Sequence, residues 1–192
     1  SGKSYLSNEL RKVFDNSIVI KTDSYYRDNI FIRFLSIFLY DIYDRPFSIK
    51  IEKINKTLRS INSQDSSIEF YKYDFKKKKS FKTKKCINYD VDNQFLILEG
   101  IFAHRLDLNY HETINILCKE KKEICYKRRL KRDQLERGRN TIEIKKKFNQ
   151  SWNLFYQNVY KYISINKVIE LIPVDENSYD KLILNLRKIK NN

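Results

Sequence analysis

The chain has 192 residues, a formal net charge of +15 at pH 7, 41% hydrophobic residues and 14% aromatic residues. That length buries one sizeable core, and that composition argues against a disordered chain, a disulfide frame (three cysteines, an odd number with no C-x-x-C pair) and a membrane span of ~18 apolar residues. A reduced, cytoplasmic protein without a membrane partner is expected; the excess charge follows a general abundance of lysine, asparagine and isoleucine, so no nucleic-acid partner is expected from charge alone.

The chain opens on Ser1-Gly2-Lys3-Ser4, the last positions of a phosphate-binding loop of the form G-x-x-x-x-G-K-[ST]. In such a loop backbone N–H groups wrap the phosphates, and the following helix directs its positive end at them. Lys3 would reach the β- and γ-phosphates, and the Ser4 hydroxyl would ligate Mg²⁺. There is no methionine, so the sequence is expected to begin inside the loop, with a first strand and the other loop glycines ahead of Ser1. Leu6, Leu10 and Val13-Phe14 predict a helix over 3–14, and Ile18-Val19-Ile20-Lys21 a strand after it. Asp23, just past that strand, falls at the carboxyl edge of a sheet, where open α/β folds bind ligands. It is a candidate metal ligand or general base; the competing reading is a turn or helix-capping aspartate.

The apolar, aromatic stretch 30–42 predicts a helix packed across the sheet, and Pro46 breaks the pattern within Tyr43-Asp44-Arg45-Pro46-Phe47. Residues 50–61 predict an amphipathic helix with Ile51, Ile54, Leu58 and Ile61 on one face, and 62–67 a polar turn. Ile68 to Phe75 alternates as a hairpin arm does. The lysines that follow, Lys76 to Lys79 with Lys82, Lys84 and Lys85, read as a solvated hairpin; a single-strand nucleic-acid surface would need a second such patch.

Phe95-Leu96-Ile97-Leu98-Glu99-Gly100 fits a central parallel strand buried on both faces, which puts Glu99 at its carboxyl edge beside Asp23 and Ser4 if the strands are neighbours. A carboxylate at such a strand end holds Mg²⁺ in P-loop proteins, and Gly100 suggests close backbone approach. Residues 113–118 predict another strand. Helix 123–139 carries Arg128, Arg129, Arg132, Arg137 and Arg139, either as a solvated face with pairs such as Arg129–Asp133 or as a lid closing guanidiniums over phosphates. A long helix over 141–162 should bury Phe148, Trp152, Phe155, Tyr156 and Val159; a last strand occupies 167–173, and Ser178 should cap a final helix carrying Leu182, Ile183, Leu186 and Ile189. Alternating strands and helices predict one three-layer α/β domain around a mainly parallel sheet.

With these segments in place the chain resembles the uridine kinase / phosphoribulokinase family of P-loop kinases, from residue 1 to about residue 173. The resemblance rests on Ser1-Gly2-Lys3-Ser4, Asp23-Ser24-Tyr25-Tyr26-Arg27, Tyr43-Asp44-Arg45-Pro46, Tyr73-Asp74-Phe75 and Leu98-Glu99-Gly100-Ile101. Most specific is Arg128-Arg129-Leu130-Lys131-Arg132-Asp133-Gln134-Leu135-Glu136-Arg137-Gly138-Arg139, which is similar to the R-R-x-x-R-D-x-x-E-R-G-R lid of uridine kinases. The resemblance implies a P-loop NTPase fold with a small substrate hairpin and an arginine-rich lid over about 123–141. It implies ATP or GTP as phosphate donor, Mg²⁺ as cofactor, a small-molecule acceptor that is first of all a nucleoside, and possible homo-oligomers.

Residue by residue, it assigns Ser1, Gly2, Lys3, Ser4 and Tyr5 to the nucleotide, with Arg129, Arg132, Arg137 and Arg139 clamping from the lid. Asp23 would act as base, with Lys3 and Arg132 as its catalytic partners. Ser4, Asp23 and Glu99 would place the metal, and Tyr26, Asp44, Tyr73 and Arg132 would hold the acceptor. Three positions depart from the uridine kinase pattern: Arg45 stands for a histidine, Lys50 for an aspartate, and no histidine follows Tyr73-Asp74-Phe75. A more basic acceptor site would suit a phosphorylated or acidic substrate, as in phosphoribulokinase-like relatives. The alternatives carried beside a uridine or cytidine kinase are therefore a kinase of another acceptor, a nucleotide-binding regulatory module without catalysis, and a nucleic-acid-binding protein.

Overall fold

Apolar residues recurring at helical spacing build the first element, α1 (Lys3–Val13), which together with the residue after it buries Leu6, Leu10 and Phe14. The computed structural model describes residues 2–38, 42–75, 77, 79–89, 95–106, 113–165, 168–172 and 175–190. After α1 come β1 (Ile18–Lys21), a 3₁₀ turn (Thr22–Tyr25), α2 (Ile30–Phe38), 3₁₀ turns at Ile42–Asp44 and Pro46–Ser48, and α3 (Ile51–Asn62). Then follow β2 (Ile68–Asp74), β3 (Lys79–Lys85), β4 (Leu96–Glu99), β5 (Asn115–Cys118), α4 (Lys122–Arg137), α5 (Thr141–Ile165), β6 (Val168–Leu171) and α6 (Glu176–Lys190).

The fold is mixed α/β with parallel sheet strands. Strands β1 and β4 run parallel, Ile18 opposite Leu96 through Lys21 opposite Glu99. Strands β5 and β6 run parallel, Asn115 opposite Val168 through Cys118 opposite Leu171, and β2 and β3 form an antiparallel hairpin. Successive side chains of a strand point to opposite faces, and β4 shows the result. Its Ile97 packs into a core with Leu6, Leu10, Phe14, Leu171, Leu182, Ile183 and Leu186, so α1 and α6 cover one face. Its Leu96 and Leu98 pack on the other face against a core that holds Ile20, Ile54, Leu58, Ile61 and Ile68, contributed by β1, α3 and β2. Helices therefore cover both faces of the parallel strands, as three layers require.

Among the described residues no strand bridges β4 and β5, and every residue of these two apolar strands is only half-buried. No described helix is long and apolar enough to cross a membrane. The three cysteines, Cys86, Cys118 and Cys125, are free thiols.

Several elements differ from their predicted form. The helix predicted over 30–42 ends at Phe38; residues 39–41 lie outside the described residues, and Ile42 belongs to the following turn. It does not pack across the sheet by a broad face: Ile32 is buried, whereas Ile30, Phe31, Phe34 and Phe38 are exposed. A segment apolar all round gives no periodicity from which to choose a buried face. Helix α4 stops at Arg137 because Gly138 adopts a left-handed conformation (φ 62°) and its N–H returns to the carbonyl of Gln134. Asp175, not Ser178, caps α6, its carboxylate accepting from both the N–H and the hydroxyl of Ser178. On α5 Phe148 and Val159 are buried, whereas Trp152 and Phe155 are half-buried; the side chain of Tyr156, Ser1, the lysines at 76 and 78, and Pro173 lie outside the described residues.

Candidate active site

Gly2 is left-handed (φ 79°) and its carbonyl receives the N–H of Leu6, so the chain turns directly into α1. The helix has no acidic residue of its own in the first turn, so the negative charge that meets the positive end of its dipole comes from elsewhere in the chain. The Ser4 hydroxyl donates to Glu99 Oε1, and Ser7 Oγ donates to Glu99 Oε2 at 3.0 Å. Strand β4 thus delivers its terminal carboxylate to the start of α1, and Lys21 Nζ stands 3.8 Å from the same carboxylate. The turn after β4 passes so near the turn after β1 that a Cβ on Gly100 (φ 154°) would lie 1.7 Å from Thr22 Oγ1. Only glycine tolerates that approach.

Pairing of β1 with β4 also brings Asp23 to this edge. Its Oδ1 is enclosed and finds no hydrogen-bond partner among the described residues. Burial pushes the Asp23 carboxyl above the ordinary carboxylate range, Lys3 pulls it down, Glu99 and Asp44 push it up, and Arg137 pulls it down. A buried carboxyl set among both signs of charge is the kind of group that proton transfer uses. Tyr26 is buried beside it, and burial, Asp23 and Asp44 all push its phenol well above the usual value.

An aromatic wall continues from Tyr26. Its ring meets Tyr43 at 5.2 Å, Tyr73 at 5.5 Å and Phe75 at 6.0 Å, and Tyr73 meets Phe75 at 5.1 Å, mostly edge to face. The Tyr73 hydroxyl donates to that of Tyr43 at 3.2 Å. Asp44 closes the wall with a carboxylate that accepts from Ser151 Oγ at 2.5 Å. Lys50 is held by Asp28, whose second oxygen receives the N–H of Ser80 at 2.9 Å. Asp28 thereby ties the hairpin to the loop after β1 and compensates the Lys50 charge there.

The arginines of α4 and of the turn after it converge on Asp133. Asp133 is fully buried and lies 3.7 Å from Arg129 Nε, 2.9 Å from Arg132 NH2, 3.5 Å from Arg137 NH1 and 3.0 Å from Arg139 NH1. The turn at Gly138 makes the last contact possible, returning the Arg139 N–H to the Asp133 carbonyl at 3.2 Å. Burial raises the Asp133 carboxyl, but Arg137, Arg132 and Arg129 outweigh it and hold the group below its ordinary value. Asp133 and Glu143, whose Oε1 lies 3.6 Å from Arg139 Nε, supply two negative charges to four guanidiniums. Arg137 carries the strain: burial and its arginine neighbours lower it to about 10. The Nε atoms of Arg129 and Arg137 are buried without a hydrogen-bond acceptor among the described residues, and the Arg137 guanidinium lies 4.2 Å above the Phe75 ring. The cluster has charge and donors available for an anion.

A single cavity of about 1290 Å³ is bordered by all of the predicted site residues that the structure describes: Gly2, Lys3, Ser4, Tyr5, Asp23, Tyr26, Asp44, Tyr73, Glu99, Arg129, Arg132, Arg137 and Arg139. It runs on between β4 and β5. Sequence reasoning missed Ser7, Asp133 as a centre, and Ser151. Ser7 follows Ser4 by one helical turn, and Asp133 sits four residues from both Arg129 and Arg137, so helical spacing carried the signal for both. Ser151 interrupts the apolar stripe of Phe148, Trp152 and Phe155; a hydroxyl on that stripe was the available clue.

Among the described residues no three His, Cys, Asp or Glu side chains gather into a metal cage. The oxygen donors at this edge, Ser4, Glu99 and Asp23, suit instead a hard cation such as Mg²⁺, which keeps waters and takes phosphate oxygens beside one or two carboxylates. No curated protein matches the chain. The family model of the phosphoribulokinase / uridine kinase family matches residues 1–169. Ser4, the edge carboxylate Glu99 and the arginines of α4 around one cavity accord with that match, and the chain belongs to the phosphoribulokinase / uridine kinase family of P-loop kinases.

Proposed function

We propose that this kinase transfers the γ-phosphate of ATP or GTP to a primary hydroxyl of a small metabolite, first of all uridine or cytidine. The observation that carries the reading is Asp23: a carboxyl whose Oδ1 is enclosed without a hydrogen-bond partner among the described residues, under the charges of Lys3 and Arg137, in the cavity that the start of α1 borders. Asp23 accepts the proton of the attacking hydroxyl at Oδ1, and burial, which raises its affinity for protons, makes it a stronger base than an ordinary carboxylate. Lys3 and the N–H groups opening α1 hold the β- and γ-phosphates; Arg132, with Arg129, Arg137 and Arg139, spreads over the charge that develops on the transferring group. Gly2 and Tyr5 complete the nucleotide side. Mg²⁺, when bound, neutralises phosphate charge, and Ser4, Glu99 and Asp23 are the residues that would hold it.

The aromatic wall supports a flat acceptor. Tyr26 and Tyr73 offer ring edges and faces to a nucleobase, and Asp44 offers a carboxylate to sugar hydroxyls. Lys50, engaged by Asp28, does not supply the extra positive charge that a phosphorylated acceptor would need. Acceptor-dependent ADP release tests the reading: Asp23→Asn should lower turnover by roughly 10²–10⁴-fold with nucleotide binding retained. Near-normal turnover in that variant would remove Asp23 from the mechanism.

A further inference from the structure

Ser151 lies on α5, outside the lid, the phosphate end and the acceptor wall, yet it touches two of them. Arg129 NH1 donates to Ser151 Oγ at 3.1 Å. The same oxygen lies 2.5 Å from Asp44 Oδ2 and 2.7 Å from the carbonyl of Lys147, one turn back on its own helix. A hydroxyl has one proton and two lone pairs, so Ser151 cannot donate to both. It accepts from Arg129 and gives its proton either to the Asp44 carboxylate or to the Lys147 carbonyl. Serine in a helix commonly uses the second option, which costs little here because the carbonyl is already in reach.

We infer that Ser151 is a positioning residue that couples the acceptor carboxylate Asp44 to the lid arginine Arg129. This rests on the proposed roles of Asp44 and Arg129. With Asp44 free of an acceptor, the Ser151 proton points to it and the chain Asp133–Arg129–Ser151–Asp44 is continuous across α4, α5 and the turn before Pro46. An acceptor hydroxyl that donates to Asp44 draws on the same carboxylate and weakens its hold on the Ser151 proton, which shifts toward the Lys147 carbonyl. Arg129 is then held by Asp133 alone on one side and by an uncharged hydroxyl, turned the other way, on the second. Occupancy of the acceptor pocket thereby changes the orientation of a guanidinium on the nucleotide side, and by reciprocity the nucleotide changes affinity for the acceptor. Each single contact is small; the coupling arises because one proton serves two acceptors.

The test is a double-mutant cycle on Mg²⁺-ATP affinity, measured by isothermal titration calorimetry on the full chain. It needs wild type, Asp44→Asn, Ser151→Ala and the pair. Removing the Asp44 charge alters ATP affinity through space in any background, so the readout is the difference between backgrounds. We expect Asp44→Asn to weaken ATP binding about three-fold or more in the wild-type background relative to the Ser151→Ala background, as coupled neighbours do. Ser151→Thr, which keeps the hydroxyl, should preserve the coupling. Alanine favours helix, and circular dichroism should find each variant folded. Additive effects within about 1.5-fold, or coupling lost equally in Ser151→Thr, would overturn the relay while leaving the kinase reading in place. Failure of the wild-type chain to bind Mg²⁺-ATP at all would overturn that reading, and the relay with it.

Discussion

Asp23 concentrates the conflict between stability and chemistry at the scale of one residue. Its carboxyl is pushed above the ordinary range by burial, so the folded protein binds a proton there that the unfolded chain has already lost. Stability contributed by this group is therefore full below the unfolded value and falls as pH rises through the folded one. At neutral pH, above the unfolded value, burying this group costs stability, and Asp23→Asn should raise the melting temperature while turnover collapses; a variant with a lower melting temperature would contradict the desolvation argument. Gly100 is the second decisive residue. A methyl there would meet Thr22 Oγ1 at 1.7 Å and Thr22 Cβ at 2.9 Å with φ at 154°. Gly100→Ala should destabilise by at least about 1–3 kcal/mol in urea unfolding, from overpacking and backbone strain together. Thr22→Ala should relieve it in part only, because the Cβ contact remains. Unchanged stability in Gly100→Ala would mean that the turns after β1 and β4 are not so closely packed.

Helix α4, the proposed lid, is the element whose behaviour depends most on a single interior charge. Breaking a buried ion pair by removing one partner costs about 3–5 kcal/mol, and Asp133 serves four arginines at once. Asp133→Asn, nearly the same shape, should accelerate amide exchange in α4 far more than in α1 or α6 and raise the KM for ATP. Uniform acceleration across the chain would show a general loss of fold instead. Because its arginine neighbours hold Asp133 below the ordinary carboxylate value, its contribution is complete above the unfolded value and is lost as pH falls through the folded one; lid protection should persist at mildly acidic pH and fail only in stronger acid. Helix α4, the strands and α3 were legible in the sequence because the signals are local: arginine spacing, short apolar runs and amphipathic periodicity. The arginines' direction was not, since a guanidinium stripe reads equally as a solvated face until a buried carboxylate is found to gather it. The role of Lys50 was hidden for the same reason: its partner Asp28 is far along the chain.

Across the whole molecule, β1 and β4 bring three remote segments to one edge, Ser4 with Glu99 by contact and Asp23 by register. That convergence was legible from the order of strand ends, for parallel neighbours must place successive carboxyl ends together. What local pattern did not specify is which apolar surfaces stay uncovered: α2 exposes Phe31, Phe34 and Phe38, and β4 and β5 face each other across the cavity without pairing. Burial of a side chain depends on neighbours that a window of sequence does not contain. The central claim remains chemical, that these converging groups move a phosphoryl group to a small hydroxyl acceptor. Its most direct test is ADP release from Mg²⁺-ATP by the full chain, with uridine, cytidine, ribulose 5-phosphate, pantothenate and glycerate offered in turn. ADP release that depends on uridine or cytidine and is lost in Asp23→Asn is the predicted result. ATP binding with no ADP release above background for any of these acceptors would contradict it.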